Sequence, residues 1–257
     1  MLKIVSGEPA AIIEGREKVL VVADLHIGFE RELARLGVNI PSQTGKMFAK
    51  LQKIILQTKP DHVVLLGDVK HSIPVATDQE WTDLPVFLEK LLELGVEVKI
   101  VQGNHDGGLE PLTPRQVRIH DSRGIVVEGV GLIHGHAWPS KELFKCKVLL
   151  MGHNHPVVEF RDQLGFRGSF PAWLSMKIDV KSQGLLPKEV AHETVKLRRV
   201  IVMPAFNTLL SGKPVNTEDR KFFGPLLESR ALNIEEAEVY LLDGTFMGKV
   251  IEVPCSI

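Results

Sequence analysis

The 257-residue chain reads as an α/β protein, a sheet flanked by helices. Apolar runs with strand character alternate with stretches of helical spacing through its first half, the pattern that builds such layers. Each of those runs also ends in a small polar cluster. The chemistry therefore collects at the carboxyl ends of strands, where open α/β sheets bind ligands.

In chain order, Met1–Val5 is a strand-like run. Residues 10–13 and 18–23 form a hairpin around Glu14-Gly15-Arg16-Glu17, and its second strand delivers Asp24-Leu25-His26. Residues 29–36 have helical spacing (Phe29, Leu33, Leu36) and stop at Gly37. A second helix starts near Pro41 and places Met47, Leu51, Ile54 and Ile55 on one face. His62–Leu66 is a buried strand that ends in Gly67-Asp68. After a looser segment at 70–80, a helix over about 80–94 stops at Gly95, and Val96–Val101 delivers Gly103-Asn104-His105-Asp106. Short strands fill 117–133 and lead to His134-Gly135-His136. Strands on either side of Met151-Gly152-His153-Asn154-His155 occupy 148–161. Beyond 165 only 194–203, 237–242 and 246–253 read as strands. The stretch at about 165–235 reads as a loop-rich, substrate-shaping excursion with one short helix, and the whole of 1–257 as one domain.

Composition narrows the function classes. An apolar fraction of 44% and a charged fraction of 25% describe an ordinary globular protein, and a net charge of −1 gives no global pull on nucleic acid or anionic lipid. Two cysteines far apart exclude a disulfide scaffold and point to a reducing cytoplasm. No apolar run approaches the roughly 20 residues of a membrane span.

The five clusters supply carboxylates, an amide oxygen and imidazoles, a donor set suited to manganese, iron, zinc or nickel. None contains a cysteine, which argues against a closed thiolate zinc site. Elsewhere His62, His120 and His192 read as structural or surface histidines. Cys146 reads as a packing cysteine despite Lys145 and Lys147, and Trp138 as rim or core packing. The lysine- and arginine-rich stretch 177–199 reads first as a solvated face and second as a nucleic-acid patch.

Taken in order, Asp24-x-His26, Gly67-Asp68, Gly103-Asn104-His105-Asp106, His134-Gly135-His136 and Gly152-His153-x-His155 resemble the calcineurin-like metallophosphoesterase superfamily. A looser match through Met203-Pro204-Ala205-Phe206 and Gly212-Lys213-Pro214-Val215-Asn216 is similar to an archaeal-type subgroup related to the double-strand-break-repair nuclease. The resemblance implies a four-layer α-β-β-α sandwich of two mixed sheets. It implies two divalent metal ions, manganese before zinc, iron or nickel. Asp24, His26 and His155 would hold one ion, Asp68 would bridge, and Asn104, His134 and His153 would hold the other, with His136 competing for the place of His134. His105 would donate a proton to the leaving oxygen while a metal-bound hydroxide attacks. His71 and His136 are candidates for substrate contact.

Departures from the family's branches narrow the substrate. Protein phosphatases of the superfamily carry an arginine soon after the bridging aspartate and a glutamate after Asn-His, whereas this chain has Val69-Lys70-His71-Ser72 and Asp106. The lipid-precursor hydrolases carry arginine where His105 stands. A phosphodiester substrate remains, with DNA ahead of small or cyclic nucleotides and a non-catalytic scaffold last. The sequence leaves the oligomeric state open, a homo-oligomer included, and names no protein partner.

Overall fold

In the computed structural model, which describes residues 1–178, 186, 195–229 and 231–255, the chain forms two sheets. The first orders β1 (Leu2–Ile4), β2 (Ala10–Glu14), β3 (Lys18–Val22), β4 (His62–Leu66), β5 (Glu97–Val101) and β6 (Arg118–His120) side by side. β1 to β3 run antiparallel and β3 to β6 parallel. Parallel neighbours need long crossovers. Helices α1 (Phe29–Arg35) and α2 (Thr44–Thr58) lie between β3 and β4, and α3 (Asp78–Glu93) between β4 and β5.

The second sheet follows the order β13 (Lys213–Pro214), β10 (Pro156–Arg161), β11 (Arg167–Lys177), β12 (Arg199–Val202), β9 (Val148–Met151), β8 (Val130–Ile133), β7 (Ile125–Val127). β14 (Glu238–Leu241) also pairs with β11, and β15 (Phe246–Lys249) pairs with β14. Both sheets are mixed. Burial divides the core into three layers of apolar side chains. One lies between the helices and the first sheet and includes Leu51, Ile54, Leu65 and Phe87. The middle layer joins the sheets through Val21, Val64, Leu132, Leu150 and Trp173. The third backs the second sheet, where Leu143, Phe144 and α4 (Pro225–Glu228) cover it. The result is the four-layer sandwich, with thinner helical cover on its second side.

The helix spacing holds unevenly. On α2, Met47, Leu51, Ile54 and Ile55 are buried as their spacing predicts, each worth about 1.5–3 kcal/mol of transfer free energy. α1 differs, because Leu36 is 73% exposed and the buried residue is Glu30, whose carboxylate accepts the backbone N–H of Gln43 at the start of α2. The sequence reading also misses β11, the longest strand, which sits in the middle of the second sheet. Gly168 and Pro171 interrupt its pattern, and a proline inside a run argues against a central strand. Here Pro171 lies where β11 changes partners, pairing with β10 up to that residue and with β12 and β14 after it. Most of the basic stretch 177–199, with His192, lies outside the described residues. Among the described residues, no helix is long and apolar enough to cross a membrane.

Candidate metal centre

The five polar clusters leave the ends of β3, β4, β5, β8 and β9 and meet where the two sheets face each other. The backbone there is unusual. Asp24, His26, Asp68, His153 and His155 all have φ between 43° and 70°, and only Lys59 and Glu128 share that region among described non-glycine residues. Left-handed backbone costs an L-residue about 1–2 kcal/mol, and such outliers gather at functional sites. Two glycines make the approach possible. A Cβ on Gly67 would lie 2.2 Å from His134 Nδ1, and one on Gly103 would lie 2.1 Å from Asp68 Oδ1.

Two trios of donors result. Asp24, His26 and His155 each place one donor atom within 4.8 Å of the others, and so do Asp68, His134 and His153. His155 Nε2 stands 3.1 Å from Asp24 Oδ1. Asp68 Oδ2 lies between the groups, 3.4 Å from His26 Nε2 and 3.2 Å from His134 Nε2. Asn104 is exposed on the turn before His105. His136 belongs to neither trio, with its ring centroid 5.4 Å from that of His134 and 6.1 Å from that of His153.

The electrostatics of the site call for cations. Asp24 and Asp68 are almost wholly buried, and histidines are their only ion-pair partners among the described residues. An uncompensated buried carboxylate costs several kcal/mol. The Nε2 atoms of His26, His134 and His155 are buried without a hydrogen bond. Burial draws a histidine pKa down, but the Asp68 and Asp24 carboxylates outweigh it at His134 and raise that ring to about 9. Burial dominates at His26, lowered to about 3, and at His153 and His136, each lowered to about 4. Burial would raise both aspartates, yet the surrounding imidazoles hold them below the ordinary range. Imidazoles beside ionised carboxylates form the donor set that borderline divalent metals bind.

Outer hydrogen bonds orient these rings, as partners of metal-binding histidines usually do. His134 Nδ1 donates to the Leu66 carbonyl at 3.1 Å, which turns Nε2 toward Asp68. Glu32 accepts from His71 Nε2, so His71 Nδ1 is the acceptor for His26 Nδ1–H at 3.1 Å. His26 Nε2 is thereby left as a donor atom. Both ring nitrogens of His71 make hydrogen bonds, one to Glu32 and one to His26. His26, His71 and His105 likewise place donor atoms within 4.8 Å of one another, and there His26 Nδ1 and His71 Nδ1 share a hydrogen bond. His105 Nδ1 donates to the His71 carbonyl, its ring stacks on His71 at 5.2 Å, and its backbone N–H donates to Asp68 Oδ1 at 2.9 Å.

Sequence reasoning overlooks the residues that hold these loops in place. Buried Asp106 accepts from the N–H groups of Val69, Lys70 and Gly103, and so ties the Asp68 loop to the His105 loop. Burial and Asp68 raise its pKa to about 6. Glu80 accepts from His71 and Ser72 with one oxygen and from Thr77 with the other. The Thr77-x-x-Glu80 spacing of a capping box was its visible signal. Asn154 exchanges two hydrogen bonds with the backbone of Phe223, and Asn207 donates to the Leu25 carbonyl. No local pattern marks these two, because their partners lie 69 and 182 residues away.

Other expectations resolve more simply. His62 is buried between Glu17 at 2.7 Å and Glu97 at 3.2 Å. His120 is half-buried rather than on the surface. Cys146 is buried, and burial raises its thiol pKa. Trp138 packs against the third core layer.

A family model described as calcineurin-like phosphoesterase matches residues 17–174. No curated protein matches the chain. The fold is similar to that of the Pseudomonas putida nuclease MPE, with 18% identity and a TM-score of 0.53 over 95% of this chain and 98% of that one. It is similar more loosely to Yfce, a phosphoesterase from E. coli, with 20% identity and a TM-score of 0.36 over 56% and 72%.

Proposed function

The chain belongs to the calcineurin-like phosphoesterase family and is a phosphoester hydrolase, and on that premise we propose that it cleaves phosphodiesters, DNA foremost, at a centre for two divalent cations. The observation that carries the reading is the pair of donor trios with Asp68 within reach of both. Asp24, His26 and His155 would hold one cation, Asp68 would be shared, and His134 and His153, with Asn104 from the exposed turn, would hold the other. His134 is preferred to His136 because its Nε2 faces Asp68 while its Nδ1 is held at the Leu66 carbonyl. Divalent cations held there would supply a water of lowered pKa and neutralise charge that develops in a displacement at phosphorus.

The protein's own groups do the rest. His105, anchored through Nδ1 by the His71 carbonyl, keeps Nε2 for the substrate and delivers a proton to the leaving oxygen. His136, beside His134 but in neither trio, is the residue we assign to hydrogen-bond a phosphate oxygen. Manganese suits this nitrogen and oxygen set, as do zinc, iron and nickel. Support for DNA comes from the nuclease fold matched along nearly the whole length of both chains.

A substrate panel tests the proposal. With manganese, the protein should hydrolyse bis(p-nitrophenyl) phosphate and DNA and leave a phosphoprotein untouched. His105→Ala should keep its metal and lose about 10²–10⁴-fold in rate. Full activity in that variant would remove His105 from its role, and cleavage of phosphoprotein alone would overturn the phosphodiester reading.

A further inference from the structure

A cavity of about 390 Å³ opens beside the metal centre, with His155 in its wall. The segment at 205–212 forms one side and the hairpin β10–β11 another. Pro156, Val157, Pro171 and Leu210 give it flat apolar faces, and the exposed hydroxyls of Ser169, Thr208 and Ser211 lie at its edge. Backbone bonds fix these walls to the centre. Lys213 N–H donates to the His155 carbonyl at 2.8 Å, and Asn207 N–H to the Asp24 carbonyl at 3.3 Å. The cavity is thus preformed at a set distance from the ions' ligands.

Its charge indicates what it takes. Lys50 is the one cation in the lining, and it is already engaged, 3.2 Å from Glu8 and 4.7 Å from the centre of the Phe206 ring. The amide of Asn207 is spent on Leu25 and Leu209. Nothing here offers a free charge to a second phosphate. A flat, uncharged ring with a polar edge fits instead, and the volume lies near the lower end for small-ligand pockets, too small for a duplex. Resting on the phosphodiester reading above, we infer that this cavity seats the nucleoside esterified to the scissile phosphate, so that the enzyme recognises one nucleotide unit.

Calorimetric titration of the manganese-loaded chain with both thymidine monophosphate isomers and with inorganic phosphate tests this. At least one isomer should bind about tenfold or more tighter than phosphate, through the apolar surface it buries against Pro156, Val157, Pro171 and Leu210. Leu210→Trp should erase that margin by filling the cavity; if that variant melts early, Ser211→Phe serves in its place. Equal affinity of the wild-type chain for both isomers and for phosphate overturns the inference, as does a margin that survives filling. Hydrolysis of bis(p-nitrophenyl) phosphate by the same samples separates the two failures. Hydrolysis without a nucleoside margin removes the cavity's role alone, whereas no hydrolysis removes the phosphodiester reading. Linear against circular single-stranded DNA, with cyclic nucleotides alongside, tells whether the unit is a strand end or a free nucleotide.

Discussion

His153 and His155 stand two residues apart on one loop and face different trios. Single alanine substitutions should therefore each remove one ion preferentially, leaving about one per chain by elemental analysis, whereas Asp68→Ala should lose both. Equal loss of both ions from His153→Ala and His155→Ala would contradict the division. Gly103 gives a second test at this scale. A methyl there meets the Asp68 backbone nitrogen at 2.3 Å as well as its carboxylate, and backbone cannot swing away. Gly103→Ala should cost about 1–3 kcal/mol in a denaturant melt and weaken metal binding; an unchanged midpoint would count against it. These residues were legible because each follows a glycine or a strand end in sequence. The roles of Glu32, Asp106 and Asn207 were not, since what matters in each is a partner brought close only by the fold.

Among the elements, the loop 70–77 is held to α3 by one carboxylate. Glu80 takes four hydrogen bonds from His71, Ser72 and Thr77, and those backbone N–H groups keep its pKa low against the effect of burial. Glu80→Gln keeps one acceptor oxygen and turns the other toward donors. It should lose about 1–3 kcal/mol of stability and, by loosening His71, lower metal affinity. An unaltered melt would show that the loop is held by other means. Strands in the first half could be read because each is a short apolar run closed by a polar cluster, and the long helices because their apolar spacing persists, even across Pro85 in α3. β11 could not, because its Pro171 is tolerated only at a change of partner strand, which is a property of the sheet and not of the segment.

Over the whole molecule, the buried histidines set an acid limit on the metal-free protein. His26, His136 and His153 have folded-state pKa values of about 3, 4 and 4 against an ordinary 6.5. Between about pH 6.5 and 4 the unfolded chain binds more protons at these three, so stability falls as pH falls. Asp106, raised to about 6, opposes this with one proton, and His134, raised to about 9, favours the folded state below that pH. The three lowered histidines outnumber Asp106 in that window. Since the contribution of His134 is fully present by pH 6.5, metal-stripped protein should melt lower at pH 5 than at pH 7; an equal or higher midpoint at pH 5 would contradict the buried, neutral state of these rings. The two-sheet architecture followed from alternating elements and the family resemblance, but the cavity beside His155 is built by segments from both ends of the chain and left no local trace. The most direct test of the dinuclear phosphodiesterase is a manganese titration of stripped protein that follows bound ions and bis(p-nitrophenyl) phosphate cleavage together. Cleavage should rise with the second ion per chain; full activity at one ion, or activity that persists in chelator, would contradict the account.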